Sequence, residues 1–292
     1  MPTQISPLRP DRLVLVGAAV LFLLNLSASV SAAPTSSKLI SKMRNIELCN
    51  GSDRSSPEPQ IRGCTALIND GNETTLVRAV AHNNRGDAYV AQGNFEAAIN
   101  DYDQAISLNP DFARPFNNRG FAYLKKGDSD RALKDFDQAI KLKPDYGRAF
   151  VNRAEAYQLR HDYQSAARDY DTAVRLHPDM GAVWNGRCWM RAILGELQPA
   201  LADCNKALSL KPNDAAALDS RGLIYLKMGQ LESAINDYSS ALRIEPALAT
   251  ALYGRGIARI KKGDATGGNA DLAAAAKLEK KIAENFSHYG IQ

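Results

Sequence analysis

The sequence predicts an all-α protein, an α-solenoid of six 34-residue helix hairpins with an irregular N-terminal cap. Two observations predict it. The first is four columns of one residue type at 34-residue spacing: Arg85, Arg119, Arg153, Arg187, Arg221 and Arg255; Asp101, Asp135, Asp169, Asp203, Asp237 and Asp271; Ala105, Ala139, Ala173, Ala207, Ala241 and Ala275; and Pro110, Pro144, Pro178, Pro212 and Pro246. Chance does not keep four columns in step, so the period is a structural unit. The second is that each period holds two stretches with apolar residues at helical spacing, broken by a glycine such as Gly93 and closed by proline.

In the first period these stretches run over 79–91 and to about residue 108, and Asn109, Pro110 and Asp111 end the unit, since proline cannot continue a helix. The array therefore spans 79–282 as units 79–112, 113–146, 147–180, 181–214, 215–248 and 249–282. Small residues recur in the first helix (Gly86, Gly120, Ala154, Cys188, Gly222, Gly256) and in the second (Ala98, Ala132, Ala166, Ala200, Ala234, Gly268). Two helices approach closely only where side chains are small. Tyr89, Tyr123, Tyr157 and Tyr225, with Tyr102, Phe136, Tyr170 and Tyr238, fill the space around those contacts, so the aromatic stripe is core.

At these residues the chain resembles the tetratricopeptide repeat family, whose signature runs aromatic, Leu, Gly, Tyr, then Ala, Phe, Ala and Pro. The first slot is Phe116, Phe150 and Trp184, and is weaker at His82, Leu218 and Leu252. The resemblance implies a right-handed superhelix with first helices lining a concave face where partner peptides lie. The chain departs from the family pattern by placing Arg where the usual Leu stands. The matching Asp column suggests that Arg and Asp meet between helices as a structural ion ladder. The last unit is degenerate, with Arg259, Gly268 and Lys280 at the tyrosine, alanine and proline places, as a terminal unit facing water would be.

Outside the array, Arg9 and Arg12 precede an apolar run over 13–26, followed by Ser27, Ser29, Ser31, Ala32 and Ala33. That order reads as a secretory signal peptide over 1–32, cut after Ala32, because the run is shorter than the ~20 residues a spanning helix needs. Retention of the run as a membrane anchor is the other reading. Residues 33–44 are expected as a flexible linker, 45–78 as a capping hairpin in which 61–68 resembles a second repeat helix, and 283–292 as a tail.

A formal charge of +4, with Lys and Arg dispersed among nearly as many Asp and Glu, gives no electrostatic case for nucleic acid. His82, His161, His177 and His288 make no metal-binding pair, no C-x-x-C occurs, and Gly267 and Gly268 lead into no phosphate loop. No catalytic constellation, cofactor site or small-molecule site is evident. The four cysteines could be metal ligands, redox thiols, free core thiols or disulfides. Cys188 stands at the small place of its first helix and Cys204 at the aromatic place of the facing one, a coupled exchange that favours a disulfide. Cys49 and Cys64 have nearly the same spacing, so local pairs Cys49–Cys64 and Cys188–Cys204 are expected, as an exported protein permits.

What is left is surface. If the family frame holds, the first-helix face carries Asn84, Asn118 and Asn152 with Arg114, Arg148 and Phe121 in the first three units. An amide offers donor and acceptor together, which suits a peptide backbone of any sequence. Further along, Trp189 and Leu223 make the same face apolar, unless the chain's own last helix covers them. The family's carboxylate clamp is not supplied by Asn83 with Asp87. The expected function is a secreted or periplasmic scaffold binding a protein or peptide. A membrane-tethered assembly factor and a cysteine-dependent redox enzyme are the alternatives.

Overall fold

A computed structural model describes residues 33–51 and 56–291. The described residues form helices without strands: α1 (Ala33–Cys49), α2 (Glu58–Asn69), α3 (Thr75–Ala91), α4 (Phe95–Leu108), α5 (Ala113–Lys125), α6 (Ser129–Leu142), α7 (Gly147–Leu159), α8 (Tyr163–Leu176), α9 (Gly181–Leu194), α10 (Leu197–Leu210), α11 (Ala215–Lys227), α12 (Leu231–Ile244), α13 (Ala249–Lys261), α14 (Ala265–Leu278) and α15 (Ile282–His288). They fall into two compact units, one ending at Ala149 and one running from Phe150. The signal segment 1–32 lies outside the described residues.

Each hairpin turn is written locally. The first helix stops at a glycine in the left-handed region, with φ between 72° and 99° at Gly93, Gly127, Gly195, Gly229 and Gly263. The next residue caps the second helix, and the side chains of Asn94, Asp128, Asp162 and Asp264 accept a backbone N–H three residues on. His161 occupies the glycine place of the third turn at φ 59°.

In three hairpins close approach of the paired helices rests on a glycine against a ring. A Cβ on Gly86, Gly120 or Gly222 would meet Tyr102, Phe136 or Tyr238 at 2.6, 2.7 and 2.8 Å, so nothing larger fits. In the fourth hairpin the same two places are Cys188 and Cys204, bonded to each other with Cα atoms 5.4 Å apart. Cys49 and Cys64 join α1 to α2 likewise, 4.5 Å between Cα atoms, in a cluster with Leu67, Val80 and Ala81. All four sulfurs are buried and paired. Loops of 15 and 16 residues each contribute about 3 kcal/mol in the chain-entropy model.

The Arg and Asp columns meet inside every hairpin. Arg85, Arg119, Arg153, Arg187, Arg221 and Arg255 each donate Nε and Nη2 to the two carboxylate oxygens of Asp101, Asp135, Asp169, Asp203, Asp237 and Asp271, at 2.6–2.9 Å. The third nitrogen reaches back to the preceding hairpin: Arg119 Nη1 to Asp103, Arg187 to Asp171, Arg221 to Asn205 and Arg255 to Ser239. Arg85 Nη1 reaches Thr65 in the cap. Aromatic rings flank the guanidinium, with Phe116 and Tyr123 centred 5.6 and 6.0 Å from Arg119. Burial opposes the charge on Arg119, but the hydrogen bonds and charge of Asp135 and Asp103 outweigh it and raise its pKa.

Three expectations need correction. The segment 33–44 is not a linker but the first turns of α1, because Leu39, Ile40, Met43 and Ile46 recur at helical spacing and Ile46 packs on the Cys49–Cys64 cluster. The first repeat helix begins inside the segment assigned to the cap, at Thr75, where Thr74 accepts the N–H of Val77 as N-cap. The tail is α15, starting at Ile282, with Phe286, Tyr289 and Ile291 buried.

Removing one partner of a buried, bidentate pair strands the other charge, so Asp135→Ala is expected to lose about 3–5 kcal/mol of stability. Pairing it with Arg119→Leu, the residue usual at that place, should restore most of the loss in denaturant unfolding. Equal stability of Asp135→Ala and the native chain would make the ladder decorative.

Candidate functional site

Residues 83, 84 and 87 of the first hairpin and their equivalents every 34 residues lie along the first helices, and they differ between the two units. In the unit ending at Ala149 the centre is the buried Asp87. It accepts hydrogen bonds from Tyr102 Oη (2.8 Å), Asn118 Nδ2 (2.8 Å), Arg114 Nη2 (3.4 Å) and Asn83 Nδ2 (3.5 Å). Asn118 also donates to Asn83 Oδ1 and accepts from Asn117 Nδ2, at 3.2 and 3.1 Å. Asn84 Oδ1 accepts from Asn83, and its backbone carbonyl accepts from Gln60 on α2. Burial above all, then the Asp87 charge, holds the Tyr102 phenol well above its usual range. The network thus stitches α2, α3, α4 and α5 together.

This corrects the expected peptide-contact surface. Asn84, Asn118, Asn152 and Arg114 are buried, and the Asn118 and Asn84 amides are engaged within the chain. Phe121 and Arg148 are half-buried, the former under the Lys125 ammonium at 5.1 Å. Trp189 and Leu223 are also buried, so they are not an open apolar patch.

In the unit from Phe150 the inner face has unspent polar capacity. Asn185 and Trp189 stand four residues apart on α9, hence on one side of the helix, and are 4% and 5% exposed. Asn185 Oδ1 and Trp189 Nε1 have no hydrogen-bond partner among the described residues, nor have the hydroxyls of Tyr170 and Tyr238. Tyr289 meets the Trp189 ring edge-on at 5.2 Å between centroids. Lys227, at the end of α11, donates Nζ to the carbonyls of Ala192 (2.7 Å) and Tyr289 (2.8 Å), and burial lowers its pKa. A cavity of about 230 Å³ is lined by His161, Tyr163, Glu279, Asn285, His288 and Tyr289 among others.

Sequence reasoning missed Asp219. It stands where the other hairpins have Asn83, Asn117 and Asn185, is fully buried, and accepts from Thr250 Oγ1 at 2.7 Å. Burial first, and the Glu245 charge, push its carboxyl up to about 7 against the Thr250 hydrogen bond. A carboxylate in an asparagine column was the available signal. Among the described residues no cluster of three or more His, Cys, Asp or Glu is placed to hold a metal.

Residues 86–127 and 222–263 match a TPR repeat family model, and residues 113–146 and 151–215 match tetratricopeptide repeat models. A search of curated protein sequences finds no significant match. Among solved structures, a tetratricopeptide repeat protein from Parabacteroides merdae superposes with a TM-score of 0.64 at 19% identity, over 86% of this chain and 99% of that one. The Cut9–Hcn1 hetero-tetramer of the APC/C gives 0.65 at 14% identity, over 88% of this chain and 54% of that one. PilF of Pseudomonas aeruginosa gives 0.60 at 15% identity, over 72% and 96%. At these identities the likeness is one of fold.

Asp219 makes stability depend on pH with a definite sign. Folded, its carboxyl keeps the proton to about pH 7; unfolded, it releases it near pH 4. Its contribution is complete below about pH 4 and is lost as pH rises to about 7, by ~4 kcal/mol at most. Guanidinium unfolding should show the native chain losing stability over that window relative to Asp219→Asn. Parallel pH profiles for the two would mean that the carboxyl is solvated and ionised.

Proposed function

The chain belongs to the tetratricopeptide repeat family, and from that premise we propose an exported, non-enzymatic scaffold that holds a protein or peptide partner on the inner face of its first helices. The observation that carries the reading is the pair Asn185 Oδ1 and Trp189 Nε1, an acceptor and a donor buried side by side without partners. Leaving such groups unpaired costs about 1–3 kcal/mol each, and a peptide backbone supplies both complements. The buried disulfides and the N-terminal sequence support export into an oxidising compartment. No described helix is long and apolar enough to cross a membrane.

Protein isolated from its own compartment is expected to begin at Ala33; an intact residue 1–32 segment in the membrane fraction favours the tethered form. A photo-crosslinker at position 185 is expected to capture a specific partner, whereas one at the exposed Lys206 on α10 is not. Affinity for the captured partner should then fall by about 2 kcal/mol or more in Asn185→Ala with unchanged helicity. Capture from position 206 and none from 185 would move the site to the outer face.

A further inference from the structure

We propose that α15 is a placeholder on this inner face, displaced when the partner binds, and that the partner presents a short amphipathic helix with the same aromatic spacing. The inference rests on the partner-binding reading above and adds how the face is kept covered. A helix that only capped the last hairpin would touch α13 and α14. α15 does pack on both, and the C-terminal segment reaches further, to residues in or next to the first helices α7, α9 and α11 as well. His288 stacks on His161, just beyond α7, with centroids 5.3 Å apart and planes at 19°. Tyr289 packs on Trp189 of α9, and its carbonyl accepts from Lys227 of α11. Phe286 packs on Tyr253 of α13 at 4.7 Å.

The seat is apolar in what it takes and incomplete in what it gives. Phe286 and Tyr289, three residues apart and so on one side of the helix, supply the buried rings, and Ile291 follows. Yet Trp189 Nε1, on the ring that Tyr289 meets, stays without a partner, as does Asn185 Oδ1 one turn before it on α9. An occupant that keeps the rings and also meets those two atoms binds better than α15 does, because each buried polar group left unpaired carries its full desolvation penalty. The segment is also easy to release. Seven residues are too few for a helix to be stable on its own, so α15 persists only through its seat. One of its holds is strained: His161 takes the left-handed backbone that five of the other turns give to glycine.

The probe is a synthetic peptide of residues 279–292. The protein is the mature chain with Trp184→Phe, so that Trp189 is the one tryptophan left of two. Phe286→Ala with Tyr289→Ala should raise acrylamide quenching of Trp189 several-fold and bind the peptide at least tenfold more tightly than the chain with native α15, helicity being retained. Hydrogen exchange covers the case in which that variant unfolds. In the 15N-labelled native chain, amides of 282–291 should exchange at least tenfold faster than those of α13, and faster still with saturating unlabelled peptide. Equal quenching, equal or absent peptide binding in a folded variant, or α15 amides as protected as α13 would each overturn the proposal. Capture from position 185 with α15 fully protected would sink this inference alone. Release of α15 with no capture there would sink the partner reading and leave α15 a terminal cap.

Discussion

Each ladder arginine holds its hairpin closed through two parallel hydrogen bonds to one carboxylate, and in most hairpins its remaining nitrogen grips the second helix of the hairpin before. The geometry requires all three helices to be in register: a planar guanidinium meets a carboxylate in fork fashion only from one direction. Hydrophobic burial tolerates small slips between helices, whereas a bidentate ion pair at 2.6–2.9 Å does not. Burial works against the charges, so the pairs set register more than they add net stability. Where leucine would pack, this chain has chosen directionality. The rings over the guanidinium shield it from water while leaving its hydrogen bonds in plane.

The glycine-to-ring contact depends on that register. Only when Gly86 faces Tyr102, or Gly120 faces Phe136, can the helices come close enough for the ring to lie on bare backbone. The fourth hairpin uses a covalent solution at the same two places, since Cys188 and Cys204 restore by a bond what a small residue and a ring achieve by contact. Neither half of that exchange works without the other. A cysteine facing Tyr102 or Tyr238 would collide with the ring, and a ring facing Cys188 would find no room.

The polar chemistry of the inner face divides along the chain. Near the N-terminus Asp87 gathers Tyr102, Asn118, Asn83 and Arg114, and the face is internally satisfied. From α9 onward the position of Asp87 becomes Trp189 and then Leu223. The ring that replaces the carboxylate is large enough to anchor another chain. The tyrosines Tyr170 and Tyr238 keep hydroxyls for which no acceptor among the described residues is in place.

Helix positions, turn chemistry, the ladder and the cysteine pairs were legible in the amino-acid order, because a 34-residue period places equivalent residues in equivalent surroundings and one hairpin explains the rest. The Asn and Trp189 columns were legible as an inner face for the same reason. Their burial was not. For Asn84 and Asn118 it comes from packing among α2, α3, α4 and α5; for Trp189 it comes in part from Tyr289, 100 positions later, which follows Ile282–His288, a seven-residue helix outside the period whose residues alone are too few to show helical spacing. Nor could α1 be told from a linker before Ile46 was seen against the disulfide, or Asp219 from an ordinary surface carboxylate before its surroundings closed over it. By itself the sequence determined what repeats, since local spacing is enough for that; the tertiary structure alone decided what is covered, since burial is set by elements that come from elsewhere in the chain.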